Sequence, residues 1–138
     1  MGVSRYHSVE AAWAARTTPA DNGHLTWTGA AGTSARTPIF TWHDKTYSAA
    51  AVAFRIRTGR DPQGYCAAEC GRKHCIAPAH VEDTPGRTRL REQLRAIVGI
   101  GPRQTTCRRG HDQNIHGRLD GDGIAYCNTC INERRAAA

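Results

Sequence analysis

Apolar positions along this chain come in short bursts separated by turn-forming residues, never in long runs. Ser8 is placed to cap a short helix through "VEAAWAAR" (9–16), with Glu10 in its first turn and Trp13 on one face. "TTPADNG" (17–23) is turn chemistry, "HLTWTGA" (24–30) alternates as a strand does, and "GTSARTP" (32–38) reads as a loop. "IFTW" (39–42), "HDK" (43–45) and "TY" (46–47) predict a short hairpin. Ser48 then opens an alanine-rich helix, "AAAVAFRIRT" (49–58), closed by Gly59 where a left-handed cap is wanted. "DPQG" (61–64) is a turn, and 65–81 is too punctuated for regular helix. Thr84-Pro85 offers an N-cap and a first-turn proline for a helix around 86–98. Its apolar stripe is Leu90, Leu94, Ile97 and Val98, and Gly99 ends it. Arg87, Arg91 and Arg95 stand above one another on a second face. "GIGPRQT" (99–105) is a linker to a second cysteine-bearing module, which runs from Cys107 to "INERRAAA".

That pattern predicts an α+β chain in three parts: an N-terminal helix (1–19), a central domain (20–99) and a C-terminal module with a basic tail (100–138). No apolar run reaches membrane-spanning length and the N-terminus lacks a secretory hydrophobic region, so a cytoplasmic protein without a membrane partner is expected. With 138 residues, modest apolar content and few aromatics, a core of this size needs a staple. Six cysteines and seven histidines supply one, and in such a chain they read as metal ligands before disulfides.

The net charge of +7 is almost all arginine, Lys45 and Lys73 being the only lysines. A guanidinium fork suits phosphate, so the balance points to nucleic acid. A GC-rich coding sequence is the bland alternative for an arginine- and alanine-rich composition.

The cleanest chemistry lies in the tail. Cys107-x3-His111 is followed, fifteen residues on, by Cys127-x2-Cys130, with "LDGDGIAYC" (119–127) as a hairpin leading back to the second pair. Three thiolates and an imidazole make a closed tetrahedral zinc site that stabilises a fold and leaves no open position. His116 is a possible substitute for His111. In the centre, Cys70, Cys75 and His80 supply three ligands. The fourth is either Cys66, favoured by local spacing, or His24 from the first strand; with three ligands only, an open zinc could activate water.

Taken in order, "HLTWTG" (24–29), "GRDPQG" (59–64), "CGRKHCIAPAH" (70–80), the helix after Pro85 and the "CRRGH…CNTC" knuckles resemble the HNH (His-Me finger, ββα-metal) endonucleases of phages and mobile elements. They also resemble the related His-Cys box homing endonucleases, and the likeness spans roughly residues 20–131. The resemblance implies a zinc-stabilised ββα-metal domain with a short antiparallel sheet and a C-terminal zinc-knuckle module. It implies His24, Cys70, Cys75 and His80 as the first zinc set, with Cys66 in reserve, and Cys107, His111, Cys127 and Cys130 as the second. It also exposes two departures. The family's general base falls at Ala68, and the asparagine that holds its divalent ion falls near Arg89. Glu69 and His74 are the possible stand-ins, although strand alternation turns Glu69 to the opposite face.

The expectation is therefore a regulatory DNA-binding protein on an inactive HNH-like scaffold, with two structural Zn²⁺ and double-stranded DNA as partner, associated with the nucleoid. Arg87, Arg89, Arg91 and Arg95 are the expected phosphate contacts, followed by Arg55, Arg57, Arg60, Arg72 and Lys73. Arg36, with Thr33 and Thr37, could reach base edges. Two alternatives stand beside it: an active Mg²⁺- or Mn²⁺-dependent endonuclease with a displaced base, and a zinc-knuckle adaptor for other proteins.

Overall fold

The Ser8 hydroxyl accepts the Ala11 N–H and starts α1 (Val9–Ala14), as its capping chemistry predicts. The computed structural model describes residues 5–31 and 37–138, so Arg36 and Thr33 lie outside the described residues. The chain divides into two units, Met1–Pro85 and Gly86–Ala138. The boundary between the units falls ahead of most of the third helix, and the N-terminal helix packs into the core of the first unit.

In the first unit, β1 (Thr17–Pro19) pairs antiparallel with β2 (Leu25–Trp27) around a 3-10 turn at Asp21–Gly23. The stretch expected to be all turn therefore begins as a strand. Only its central residues reverse the chain, with Asn22 and Gly23 both at positive φ. The expected hairpin forms as β3 (Ile39–Trp42) and β4 (Lys45–Ser48). Its two-residue turn puts His43 and Asp44 at φ 47° and 58°, the left-handed geometry that such turns demand.

Ser48 caps α2 (Ala49–Thr58), accepting from Ala51 N–H, and Gly59 closes it at φ 75°. Val9, Ala12 and Trp13 of α1 then join Ala49, Val52, Ala53 and Phe54 of α2 in the core, with Phe40, Cys66, Ile76 and Val81. The buried indole of Trp13 is satisfied by donating to the Ala49 carbonyl at 2.9 Å. β5 (Ala67–Ala68) pairs with β6 (Val81–Glu82), so residues 69–80 form the loop of a hairpin.

Asp83 follows β6 and is fully buried, accepting from Arg60 Nη1 and Gln63 N–H, both at 3.0 Å. Next to it the Thr84 hydroxyl donates to the Tyr65 carbonyl at 3.3 Å.

The second unit holds most of α3 (Thr84–Ile97), then α4 (Gln113–His116), the hairpin β7 (Gly117–Leu119) and β8 (Ala125–Cys127), and α5 (Asn128–Ala136). The packing of α3 inverts its pattern. Leu90, Ile97 and Val98 are exposed, while Arg95 is only 7% exposed. Arg95 donates to the Gly123 carbonyl at 2.8 Å and Arg91 donates to the Leu119 carbonyl, so α3 grips both ends of the β7–β8 turn through backbone oxygens. Gly123 sits at φ 79° with the Arg95 stem against it, so a side chain there would be both strained and obstructed. Leu119 and Cys127 are the buried hydrophobic residues of this unit, which is too little apolar core to hold it.

Candidate functional site

The turn before β2 and the loop of the β5–β6 hairpin bring His24 together with Cys70, Cys75 and His80, with one candidate ligand atom from each lying within 4.8 Å of the others. His24 ends the 3-10 turn before β2, Cys70 follows β5, and His80 precedes β6. Backbone bonds set the loop between them: Cys75 N–H to Arg72 O, His80 N–H to Ala77 O, and Glu69 N–H to His80 O. Two further contacts bring the loop to His24. Ile76 N–H donates to the Leu25 carbonyl at 3.2 Å, and Arg72 donates to Asp21 at 2.7 Å. That hydrogen bond from Arg72 holds the Asp21 carboxyl below its ordinary value. Cys75 is buried and Cys70 exposed. Removal of water raises the Cys70 thiol, against the opposing pull of its backbone bond to Arg72.

Cys66, the spacing-favoured fourth ligand, is not in the cluster. Its thiol is buried in the core and donates to the Ala50 carbonyl at 3.4 Å. The choice between Cys66 and His24 thus falls to His24, the ligand the resemblance implied.

The second unit assembles Cys107, His111, Cys127 and Cys130 in the same way. Gly110, at φ 83°, turns the first knuckle so that Cys107 N–H meets the His111 carbonyl and Arg109 N–H meets the Cys107 sulfur at 3.3 Å. Cys127 ends β8 and Cys130 lies in the first turn of α5. His116 stands apart, its ring 6.0 Å from that of His111. Like charges packed this closely split their protonation. The backbone hydrogen bond from Cys130 pulls the Cys127 thiol down to about 6, and desolvation pushes Cys130 up to about 11. Burial raises Cys107, but backbone bonds from Arg109 and His111 outweigh it and the net shift is downward. The hydrogen bond to Cys127 leads the rise at His111.

Distances test whether these clusters suit a metal. His111 Nδ1 lies 3.5, 3.5 and 3.3 Å from the sulfurs of Cys107, Cys127 and Cys130, and Cys107 Sγ lies 3.7 Å from Cys130 Sγ. One ring nitrogen makes one hydrogen bond, so three near-equal sulfur approaches describe a cage. A tetrahedron with metal–sulfur bonds of about 2.3 Å and metal–nitrogen bonds of about 2.0–2.1 Å has edges of roughly 3.8 Å and roughly 3.6 Å. In the first cluster Cys75 Sγ stands 3.5 Å from His80 Nδ1, and the buried Nδ1 of His24 has no hydrogen-bond partner, as a ligand atom would not. Both clusters are compatible with metal.

Ala68 pairs with Val81 and packs against the core, and it borders a depression of about 280 Å³ shared with Lys73 and His74. His74 is exposed at the loop tip with φ 58°, while Glu69 is half-buried and engaged.

The arginines proposed for phosphate divide sharply. Arg57 donates to the Pro78 and Val81 carbonyls and to Glu82, so it braces the first metal loop. Arg60 is held by Asp83 and lies over Phe54. Arg91 and Arg95 are taken by hairpin carbonyls, and Arg87 has its own interaction. Arg55 makes long pairs of 3.9 Å with Glu10 and Asp61, and Arg72 joins Asp21. Arg89 and Lys73 are exposed, with no side-chain partner among the described residues. Spacing alone could not distinguish a guanidinium aimed at a carbonyl from one aimed at solvent.

Comparison with protein-family models, with curated proteins and with solved structures gives no match for this chain. No helix among the described residues is long and apolar enough to cross a membrane.

Proposed function

We propose that this protein is a DNA-binding protein carrying two structural zinc ions, built on an HNH-like scaffold that no longer cuts. The donor sets support zinc over other ions. Two thiolates with two imidazoles, and three thiolates with one imidazole, are soft closed sets suited to a tetrahedral d¹⁰ ion. His24, Cys70, Cys75 and His80 would hold one ion and Cys107, His111, Cys127 and Cys130 the other. Zinc bound there supplies folding energy and no reaction.

Ala68 is the observation that carries the inactive reading. It occupies the strand position beside the first cluster where the resemblance requires a general base, and a methyl group cannot take a proton. Arg89, where a metal-holding asparagine is expected, is exposed and cationic, so it would repel a divalent ion and attract a phosphate. The net charge of +7 supports a polyanionic partner.

A plasmid assay paired with a mobility shift tests both halves. With Mg²⁺ or Mn²⁺, supercoiled plasmid should stay intact, while a short duplex should be retarded at low salt and released as salt rises. Nicking that disappears in EDTA and in a His74→Ala or Glu69→Ala variant would establish an active nuclease with a displaced base. Indifference to DNA at low salt would leave the knuckles as protein-docking modules.

A further inference from the structure

Positive charge is spread unevenly along this chain. Gly86–Ala138 carries ten arginines against five acidic residues, +5 of the total +7, whereas Met1–Pro85 carries nine cations against seven acids. Within the second unit most guanidinium groups are engaged. Arg91 and Arg95 hold hairpin carbonyls, and Arg87 has an interaction of its own. Arg103 faces Glu92 at 3.8 Å, Arg109 reaches Glu133 at 2.7 Å, and Arg118 lies 3.8 Å from Asp120. The arginine side chains of this unit left without a partner are Arg89, Arg108, Arg134 and Arg135, all of them exposed.

Two of these four face one depression. Arg108 and Arg134 border a notch of about 520 Å³ together with Cys107, Arg109, Cys130 and Glu133. Its construction follows from the metal cluster. The sulfurs of Cys107 and Cys130 lie 3.7 Å apart. Arg108 directly follows the first, and Arg134 stands one helical turn beyond the second on α5. Holding the two sulfurs together therefore brings the backbone of both arginines to the same notch. Glu133 is the acid at the notch, and its pairing with Arg109 neutralises it without using either uncommitted guanidinium. Two uncommitted forks bordering one opening match the phosphate diester backbone, whose oxygens accept paired N–H donors.

We infer that the backbone-phosphate contact of this protein is made by the tail unit, at the notch that Arg108 and Arg134 both border, and not by the successive arginines of α3. This rests on the DNA-binding reading and names its surface. The metal cluster orients the two cations and takes no part in contact.

The test is fluorescence anisotropy with a labelled duplex of about 20 base pairs, titrated across a series of salt concentrations. Each lost phosphate contact lowers the slope of log affinity against log salt by about one. Arg108→Ala/Arg134→Ala should therefore reduce the slope by about two and weaken low-salt binding by roughly tenfold, while Arg108→Lys/Arg134→Lys restores most of the slope. Circular dichroism and metal content should match wild type, both side chains being exposed. The comparison variant Arg87→Ala/Arg89→Ala should shift the slope by less. An unchanged slope in the Arg108/Arg134 variant, or a larger loss in the Arg87/Arg89 variant, overturns the assignment while leaving DNA binding intact. Absence of any salt-sensitive binding by wild type removes the DNA-binding reading itself, and this surface with it.

Discussion

Removing metal should unfold the second unit and only loosen the first. The contrast comes from what each unit buries. Gly86–Ala138 buries Leu119 and Cys127 as its hydrophobic residues. A fully buried leucine contributes about 1.5–3 kcal/mol, while ordering a single residue costs about 1–2 kcal/mol. A structural zinc in a small module contributes on the order of 10–16 kcal/mol near neutral pH, several times what Leu119 provides. The first unit instead holds a continuous core from Val9 to Val81 that includes Trp13, Phe40 and Phe54. There three of the four candidate ligands occupy the 69–80 loop and His24 the turn before β2, and chelation should release residues 69–80 without melting α1 and α2. Amide hydrogen exchange read by mass spectrometry distinguishes the outcomes. On adding a strong chelator, peptides over β7, β8 and α5 should lose protection completely, those over 69–80 in part, and those over α1 and α2 little. Protection in β7–β8 that survives chelation would refute the argument, because it would mean that Leu119, Cys127 and the Arg91 and Arg95 contacts suffice to hold the unit.

Two further outcomes follow from particular contacts. His24→Ala should leave one metal equivalent per chain by elemental analysis, whereas Cys66→Ala should retain two and lower stability only through a lost core thiol. Equal metal loss in both would contradict the ligand set. Asp83→Ala removes the acceptor for Gln63 N–H and Arg60 from a fully buried site. Arg60 is half exposed and can be rehydrated, so the loss is concentrated in the stranded amide and the void. We expect about 2–3 kcal/mol in urea unfolding with metal present, and a change below about 0.5 kcal/mol would mean those bonds are not formed.

Legibility in the sequence followed how local each interaction was. Caps at Ser8, Ser48 and Gly59 are set by neighbours within four residues, and all three appear as their chemistry dictates. The second cluster and three members of the first were accessible from spacing; spacing favoured Cys66 as the fourth, and His24 came only from the order of motifs, since nothing near Asp21–Gly23 announces a metal. Apolar periodicity misjudged α3. The helix packs on hairpin carbonyls, so the residues that bury are long donors such as Arg95, and Leu90, Ile97 and Val98 face outward. Thr17–Pro19 was hidden for a related reason, because a strand of three residues is defined by its partner at Leu25–Trp27 and not by its own composition. The division at Pro85 was masked by a helix whose pattern continues across it.

The four donors of the Cys107–Cys130 cluster have a thermodynamic consequence beyond shape. With an ion bound there as proposed, a cage that exists only in the folded unit would tie that unit's stability to the chemical potential of free ion, so each tenfold change in free metal would shift it by about 1.4 kcal/mol once the site is well populated. Its melting temperature would then be a property of protein and buffer together. In a compartment where free zinc is tightly controlled, the tail would be present or absent as a folded object according to that control, with no change to the chain.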